Sequence, residues 1–458
     1  MIDGLHPYGA LKPTGVDWLP SLPEGWEVHR AKYSFKEVDD RSETGAEELL
    51  SVSHKTGVTP RSQKNITMFM AESYEGHKVC RPDDIVVNTM WAWMAAVGVS
   101  RHVGIVSPAY AVYRPRTADR FESKYLDFLL RTEVYRAEFL RSSRGITTSR
   151  LRLYPPDFLN IPIVQPPLEE QRLIVRFLDW HGAQTAKLIR AKKKIVALLN
   201  ERKRAIIHHA VTRGLDPNPK LKPTSIPWIG DIPQDWSVSR VKTEFQCLNY
   251  RRIPLSGTER GKMTRRLYDY YGASGIIDKV DDYLFDDKLL LIAEDGANLV
   301  LRNLPLAIVA EGKFWVNNHA HILKPRRGDI RFLAAVLEGL NFLPWISGAA
   351  QPKLTQDRLM GIAIAIPPPH EQRGIIDSCE TSTSGLTRWI GAATNEISLI
   401  QEFRARLVSD VVTGKLDVRA LAASLPDTID EEPVDDVAEN DDDLDEGIEG
   451  PEGEEIAA

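Results

Sequence analysis

The sequence predicts a mixed α/β protein built as a tandem repeat: two globular α/β domains separated by two long, antiparallel, coiled-coil-like helices, with pseudo-two-fold symmetry. Three observations predict it. Landmark phrases recur in the same order in both halves, two segments keep one length, and the segments between the landmarks do not. The first landmark, Trp18-Leu19-Pro20 with Pro23-x-x-Trp26-x-Val28-x-Arg30-x-Lys32-x-x-Phe35, returns 210 residues later as Trp228-Ile229-Gly230 with Pro233-x-x-Trp236-x-Val238-x-Arg240-x-Lys242-x-x-Phe245. The second, Pro166-Pro167-Leu168-Glu169-Glu170-Gln171-Arg172-x-Ile174, returns 201 residues later as Pro367-Pro368-Pro369-His370-Glu371-Gln372-Arg373-x-Ile375. The third, Val211-Thr212-x-x-Leu215-Asp216, returns as Val412-Thr413-x-x-Leu416-Asp417, again 201 residues later. Self-similarity of this kind marks a duplicated architecture.

In chain order, the repeat predicts a first globule over residues 1–165, a long helix over 166–214, a second globule over 215–366, a second long helix over 367–420, and an acidic, disordered tail over 421–458. The first globule offers strands at Glu48–Val52, Asp84–Val87 and Tyr110–Tyr113 and a helical stretch from Tyr125 to Phe139. The second offers strands at Lys288–Ile292, Leu306–Val309 and His321–Leu323 and a helix from Phe332 to Leu340. Between these globules the interval from Glu170 to Val211 equals that from Glu371 to Val412, 41 residues in each case. The globules tolerate insertion; the rods do not.

Each rod opens with prolines followed by glutamate, which suits the first turn of a helix and its dipole. Each closes near a glycine, Gly214 or Gly414. A stripe at 3/4 spacing runs through the second rod: Ile376, Cys379, Thr383, Leu386, Ile390, Ala393, Ile397, Ile400, Arg404, Leu407 and Val411. The first rod carries the same register: Val175, Leu178, Gly182, Thr185, Ile189, Lys192, Val196, Leu199, Lys203, Ile206 and Ala210. Shared length and register are what a coiled-coil pair requires, and rods of about 45 residues reach on the order of 65 Å.

Charge narrows the function. The chain has a formal net charge of −6, but residues 427–458 hold 16 acidic residues and no Lys or Arg. Without that tail, 58 basic residues face 48 acidic ones, a net of +10, as expected of a partner of a polyanion. No stretch approaches the roughly 18 apolar residues of a membrane span. The start of the chain, Met1 to Pro7, lacks the basic and apolar regions of a signal peptide. Cys80, Cys247 and Cys379 lie far apart, giving neither a disulfide framework nor a zinc spacing, so a reducing cytoplasm is expected.

Catalytic motifs are weak. Gly257-Thr258-Glu259-Arg260-Gly261-Lys262-Met263 falls one residue short of a phosphate loop and has Met where Ser or Thr would bind magnesium. His370-Glu371-Gln372-Arg373-Gly374 lacks the second histidine of a zinc site, and the adjacent His208 and His209 do not share a helical face. Neither an adenine-methyltransferase tetrapeptide nor a Gly-rich cofactor loop occurs. No catalytic residue, metal site or cofactor is expected in this chain.

In this order, twice over, the phrases resemble the specificity subunits (HsdS) of type I restriction-modification systems, from residue 1 to about 420. The features that carry it are the Pro23/Trp26 and Pro233/Trp236 openings, the PPLEEQR and PPPHEQR helix starts, and the VTRGLD and VTGKLD exits. Internal phrases add to it, among them Leu49–Ser53, Gly57–Pro60, Ala293–Asn298 and Asn317–Ala320. The resemblance implies a non-catalytic subunit whose two target-recognition domains each read half of an asymmetric bipartite site on double-stranded DNA. It implies that the helices set the gap and dock two methyltransferase (HsdM) subunits, which methylate adenine N6 with S-adenosylmethionine. It implies two motor-nuclease (HsdR) subunits, using ATP and Mg, that cleave unmodified DNA. One departure stands out: the first rod has 11 basic against 4 acidic residues from Glu169 to Arg213, the second 4 against 6 from Glu371 to Gly414.

Candidate base readers are polar and aromatic residues on loops after strands, since Arg suits guanine, Asn or Gln adenine, and an acid cytosine N4. In the first globule they are Asn88, Thr89, Trp91, Trp93, Arg101, Ser107, Arg144, Thr147, Ser149 and Arg150. In the second they are Tyr271, Ser274, Glu294, Asp295, Asn298, Arg302, Asn317, Asn318, Gln351 and Lys353. Two other readings stay open: a DNA-binding scaffold without sequence preference, and a diverged self-contained methyltransferase or nuclease.

Overall fold

In the computed structural model, which describes residues 5–63, 73–117, 119–146, 150–348 and 351–426, both double-proline phrases start long helices. The first runs Leu168–Arg213 and the second Pro369–Val412. Glu169 and Glu170 lie in one first turn and Glu371 in the other, where negative charge complements the helix dipole. Both exits use a glycine in the left-handed region, Gly214 at φ +77° and Gly414 at φ +76°, where a side chain would be strained.

The chain divides into two units, and each takes half of each rod. One holds the described residues up to Ala191 and those from Glu396 onward; the other holds Lys192–Asn395. In the first unit Ile174, Phe177 and Leu178 share a core with Leu407, Val411 and Val412. Farther along, the His181 ring lies 6.1 Å from that of Phe403, and a Cβ on Gly182 would lie 3.5 Å from Arg404 Nη2. Ascending numbers on one helix meet descending numbers on the other, so the segments are antiparallel. In the second unit Ala210 and Val211 join Ile375, Ile376 and Cys379 in one core. Every residue of the first predicted stripe is buried or half-buried, and in the second Arg404 alone is exposed.

The same interleaving closes each globule. Trp26 and Trp236, from the repeated opening phrase, are both fully buried. Trp236 packs where the first rod ends and the second begins: a Cβ on Gly214 would lie 3.5 Å from its ring and 3.1 Å from Glu371 Oε1. Trp26 packs against the end of the second rod, 3.1 Å from a Cβ placed on Gly414. Nearby, the Tyr125 hydroxyl donates to the Val412 carbonyl at 3.1 Å.

Beside the rods, the first unit has a four-stranded sheet in the order Phe35–Val38, Ala111–Pro115, Ile85–Val87, Val97–Val99. The second has six strands in the order Phe245–Cys247, Ala320–Pro325, Phe285–Ala293, Ala307–Val316, Tyr268–Gly272, Gly275–Val280. Leu289 and Leu291 face one core and Leu290 and Ile292 another, which explains why this strand reads as a continuous apolar run. A short antiparallel pair ties each opening phrase to the strand before its rod: Glu27–Arg30 with Pro162–Gln165, and Ser237–Arg240 with Ala363–Ile366.

Element boundaries shift in places. The strand expected at Glu48–Val52 is Leu50–Ser53, paired with Gly57–Pro60. The stretch Tyr125 to Phe139 is two helices, Ser123–Leu130 and Glu133–Ser142, because Thr132 leaves the helical conformation and its hydroxyl accepts from the Tyr135 N–H at 3.4 Å. Gly257–Gly261 is a short helix opened by a Ser256/Glu259 capping box. Cys80, Cys247 and Cys379 are free, and no helix among the described residues is long and apolar enough to cross a membrane.

Candidate nucleic-acid interface

The two units share one construction at the loop that follows their central strand. After Ile85–Val87 in the first unit, the Thr89 carbonyl accepts the Leu153 N–H at 3.0 Å. After Phe285–Ala293 in the second, the Glu294 carbonyl accepts the Leu354 N–H at 2.8 Å. Leu153 and Leu354 stand 201 residues apart, the repeat offset of the rods. Each ends an antiparallel pairing that begins next to a glycine of positive φ: Arg144↔Arg152 beside Gly145, and Ser347↔Lys353 beside Gly348. A Cβ on Gly145 would collide with the Arg150 carbonyl, and one on Gly348 with that of Gln351, so both positions need glycine. This repeated docking escaped the sequence because the side chains around it share almost nothing.

In the first unit this junction gathers several predicted residues. Asn88 is buried and donates to the Tyr110 hydroxyl at 3.1 Å; Thr89 donates to the Ala109 carbonyl at 2.9 Å. Ser107 shapes the same turn, accepting the Ala109 N–H at 3.3 Å. Trp91 and Trp93, both half-buried, stack at 6.0 Å, and Trp93 Nε1 donates to the Met90 carbonyl at 3.0 Å. Arg144 and Arg150 are exposed at the hairpin, and Arg144 holds Asp157 at 2.5 Å. Arg101 is exposed in the turn between Val97–Val99 and Gly104–Val106, apart from this cluster. Thr147 and Ser149 lie outside the described residues.

In the second unit the junction is more highly charged. Glu294 is buried, bonded by Arg252 and bridged by Lys353 Nζ at 3.3 Å. Burial opposes its ionisation, but the Arg252 hydrogen bond and the charges of His321, Arg252 and Lys353 outweigh that and hold the carboxyl below its usual range. The Asp295 backbone pairs antiparallel with that of Lys353, and its carboxylate bonds His319 Nδ1 at 2.9 Å. Asn317 is buried and accepts the His319 N–H at 2.8 Å, while its own N–H reaches the Tyr271 carbonyl at 3.0 Å. Asn318 and Gln351 are exposed on the same loops, and Ser274 sits in the hairpin turn after Tyr271. Two predicted residues are occupied elsewhere. Arg302 donates to the Glu338 and Leu340 carbonyls at the end of helix Ile330–Gly339, and Asn298 closes its own loop through both Leu304 backbone groups.

Arg252, Asn249 and His321 escaped sequence analysis. They meet Glu294, or one another, across 27 to 72 residues of chain, a separation at which no local pattern signals contact.

Among known proteins, residues 233–397 match the family described as type I restriction modification DNA specificity domain. A putative type I restriction enzyme specificity subunit of Haemophilus influenzae is 38% identical over 117 residues, 25% of this chain and 30% of that one. The MjaVIII specificity subunit of Methanocaldococcus jannaschii is 24% identical over 284 residues, 58% of this chain and 64% of that one. The chain thus spans less than two thirds of either relative. A solved structure from work on complex assembly and conformational transition of the type I R-M system shares the fold, with a TM-score of 0.51 at 16% identity, over 85% of this chain and 98% of that one. The duplicated openings and exits, the domain matched over residues 233–397 and the long paired helices agree in making the chain similar to the type I restriction-modification specificity subunits.

Proposed function

We propose that this chain selects the DNA sequence on which a type I restriction-modification complex acts. Each globule reads one half of an asymmetric bipartite site on double-stranded DNA. The rods set the unread gap and dock two methyltransferase subunits, which supply S-adenosylmethionine-dependent methylation of adenine N6. Two motor-nuclease subunits, using ATP and Mg, restrict unmodified DNA. The chain itself is a non-catalytic cytoplasmic subunit.

One observation carries this reading: the two units build the same junction from one scaffold yet line it with different side chains, Asn88 and Thr89 in one, Glu294 and Asp295 in the other. A scaffold without sequence preference has no use for that divergence. The net +10 of residues 1–426 supports the phosphate contacts that supply most of the affinity. Exposed apolar side chains on the rods fit the docking role: Leu188, Leu399 and Phe403 in the first unit, and Ile195, Leu198 and Trp389 in the second. Methylome sequencing of the host with and without this gene tests the proposal. A bipartite adenine motif that disappears with the gene is expected; an unchanged methylation pattern rejects it.

A further inference from the structure

Four stretches of the second unit meet at one end of its six-stranded sheet, and a polar network locks them together. They are the turn Asn249–Arg251, the loop after Phe285–Ala293, the turn after Ala307–Val316, and the strand pair Ile346–Ser347 with Lys353–Leu354. Arg252 binds Glu294 and donates to the carbonyls of Asn318 at 3.2 Å and Ala320 at 3.0 Å. Asn249 donates to His321 Nδ1 at 2.8 Å and to Gln356 Oε1 at 2.9 Å, and its Oδ1 accepts the Ile322 N–H at 2.9 Å. That leaves His321 Nε2 to donate to the Leu354 carbonyl at 2.7 Å. Its burial, which lowers its pKa, agrees with this neutral form. These polar groups satisfy one another, so the network is a pedestal.

Two side chains stand out from it. Tyr250, between the clamped Asn249 and Arg252, is 77% exposed. His319 follows Asn318, whose carbonyl Arg252 holds, and its side chain is 46% exposed. The Asp295 carboxylate holds His319 Nδ1 through both oxygens at 2.9 Å. A carboxylate there keeps the proton on Nδ1 and leaves Nε2 as an acceptor. Among the described residues, neither that nitrogen nor the Tyr250 hydroxyl is hydrogen-bonded. The ordering of these groups is completed before any ligand arrives, which is the condition for selective contact.

We propose that Tyr250 and His319 are sequence-reading residues of the second unit. His319 Nε2 accepts from the exocyclic amino group of adenine or cytosine in the major groove, and the Tyr250 ring lies against the neighbouring base edge. Asp295 and Arg252 are positioning residues. The inference rests on the DNA-reading function proposed above. At the positions that match Asn249, Tyr250 and Arg251 by the 210-residue offset, the first unit has Asp39, Asp40 and Arg41, so its reading edge is of another kind.

The test is selection from a randomised duplex library by the full chain assembled with its methyltransferase partner. Wild type, His319→Ala, Tyr250→Ala and Asp295→Asn are compared. The wild type is expected to select a bipartite motif. His319→Ala should lose roughly ten- to a hundredfold of discrimination at one adenine- or cytosine-bearing position of one half-site. The other half-site should stay intact, an internal sign that the variant is folded. Asp295→Asn should relax the same position, with an unchanged thermal midpoint, and Tyr250→Ala the position beside it. A wild type that selects no motif overturns the DNA-reading function itself. A wild-type motif that survives both alanine variants overturns this inference alone, as does a loss of preference confined to a guanine.

Discussion

Trp26 and Trp236 occupy the same place in the two repeats and are equally buried, yet their indole nitrogens fare differently. Trp236 Nε1 donates to the Glu371 carboxylate, at 3.1 and 3.2 Å to its two oxygens. Trp26 Nε1 is buried with no partner, because the matching acid, Glu170, accepts instead from the Tyr8 hydroxyl at 2.5 Å. Replacing either tryptophan by phenylalanine loses similar apolar area, but only Trp236→Phe removes a donor from a half-buried carboxylate. Trp236→Phe should therefore cost about 1 kcal/mol more than Trp26→Phe in denaturant unfolding. Equal costs would show that the Glu371 bond contributes nothing net. Residue chemistry of this kind is invisible in the repeat alignment, where both positions read simply as tryptophan.

At the scale of elements, the rods depend on their glycine exits. Gly214 and Gly414 share a left-handed backbone but not their surroundings. A Cβ on Gly214 would meet Glu371 Oε1 at 3.1 Å, the end of a flexible side chain. On Gly414 it would come within 2.5 Å of Pro23 Cδ and 3.1 Å of the Trp26 ring, neither of which can move aside. Gly214→Ala should cost about 1–2 kcal/mol for the backbone alone. Gly414→Ala adds an overlap in a packed core, about 1–3 kcal/mol more. Thermal unfolding of the two variants checks the order. The stripes were legible because periodicity is a local property, and both were found in the predicted register. The break at Thr132 was not, since a threonine that caps a second helix looks, in sequence, like one residue of a continuous helix.

Across the whole molecule, each unit is assembled from both halves of the chain. The first needs Leu407, Val411 and Val412 from the second rod; the other needs Ala210 and Val211 from the first. Residues 1–214 made alone should leave an apolar surface uncovered and self-associate. Coexpressed with residues 215–426, they should copurify with that piece in equal amounts, as affinity purification and size-exclusion chromatography will show. Two fragments that behave as independent soluble monomers would contradict the interleaving.

By itself, the sequence determined the duplication, the two rods and their register, the basic body and the family resemblance. These are all written in spacing and composition, which need no knowledge of what folds against what. Only the tertiary structure decided that each rod is shared between units, that Leu153 and Leu354 dock in the same way, and that Glu294 is enclosed by Arg252, Lys353 and His321. Those facts arise from contacts between residues tens to hundreds of positions apart. Packing and desolvation choose such partners, and neither leaves a local trace in the chain.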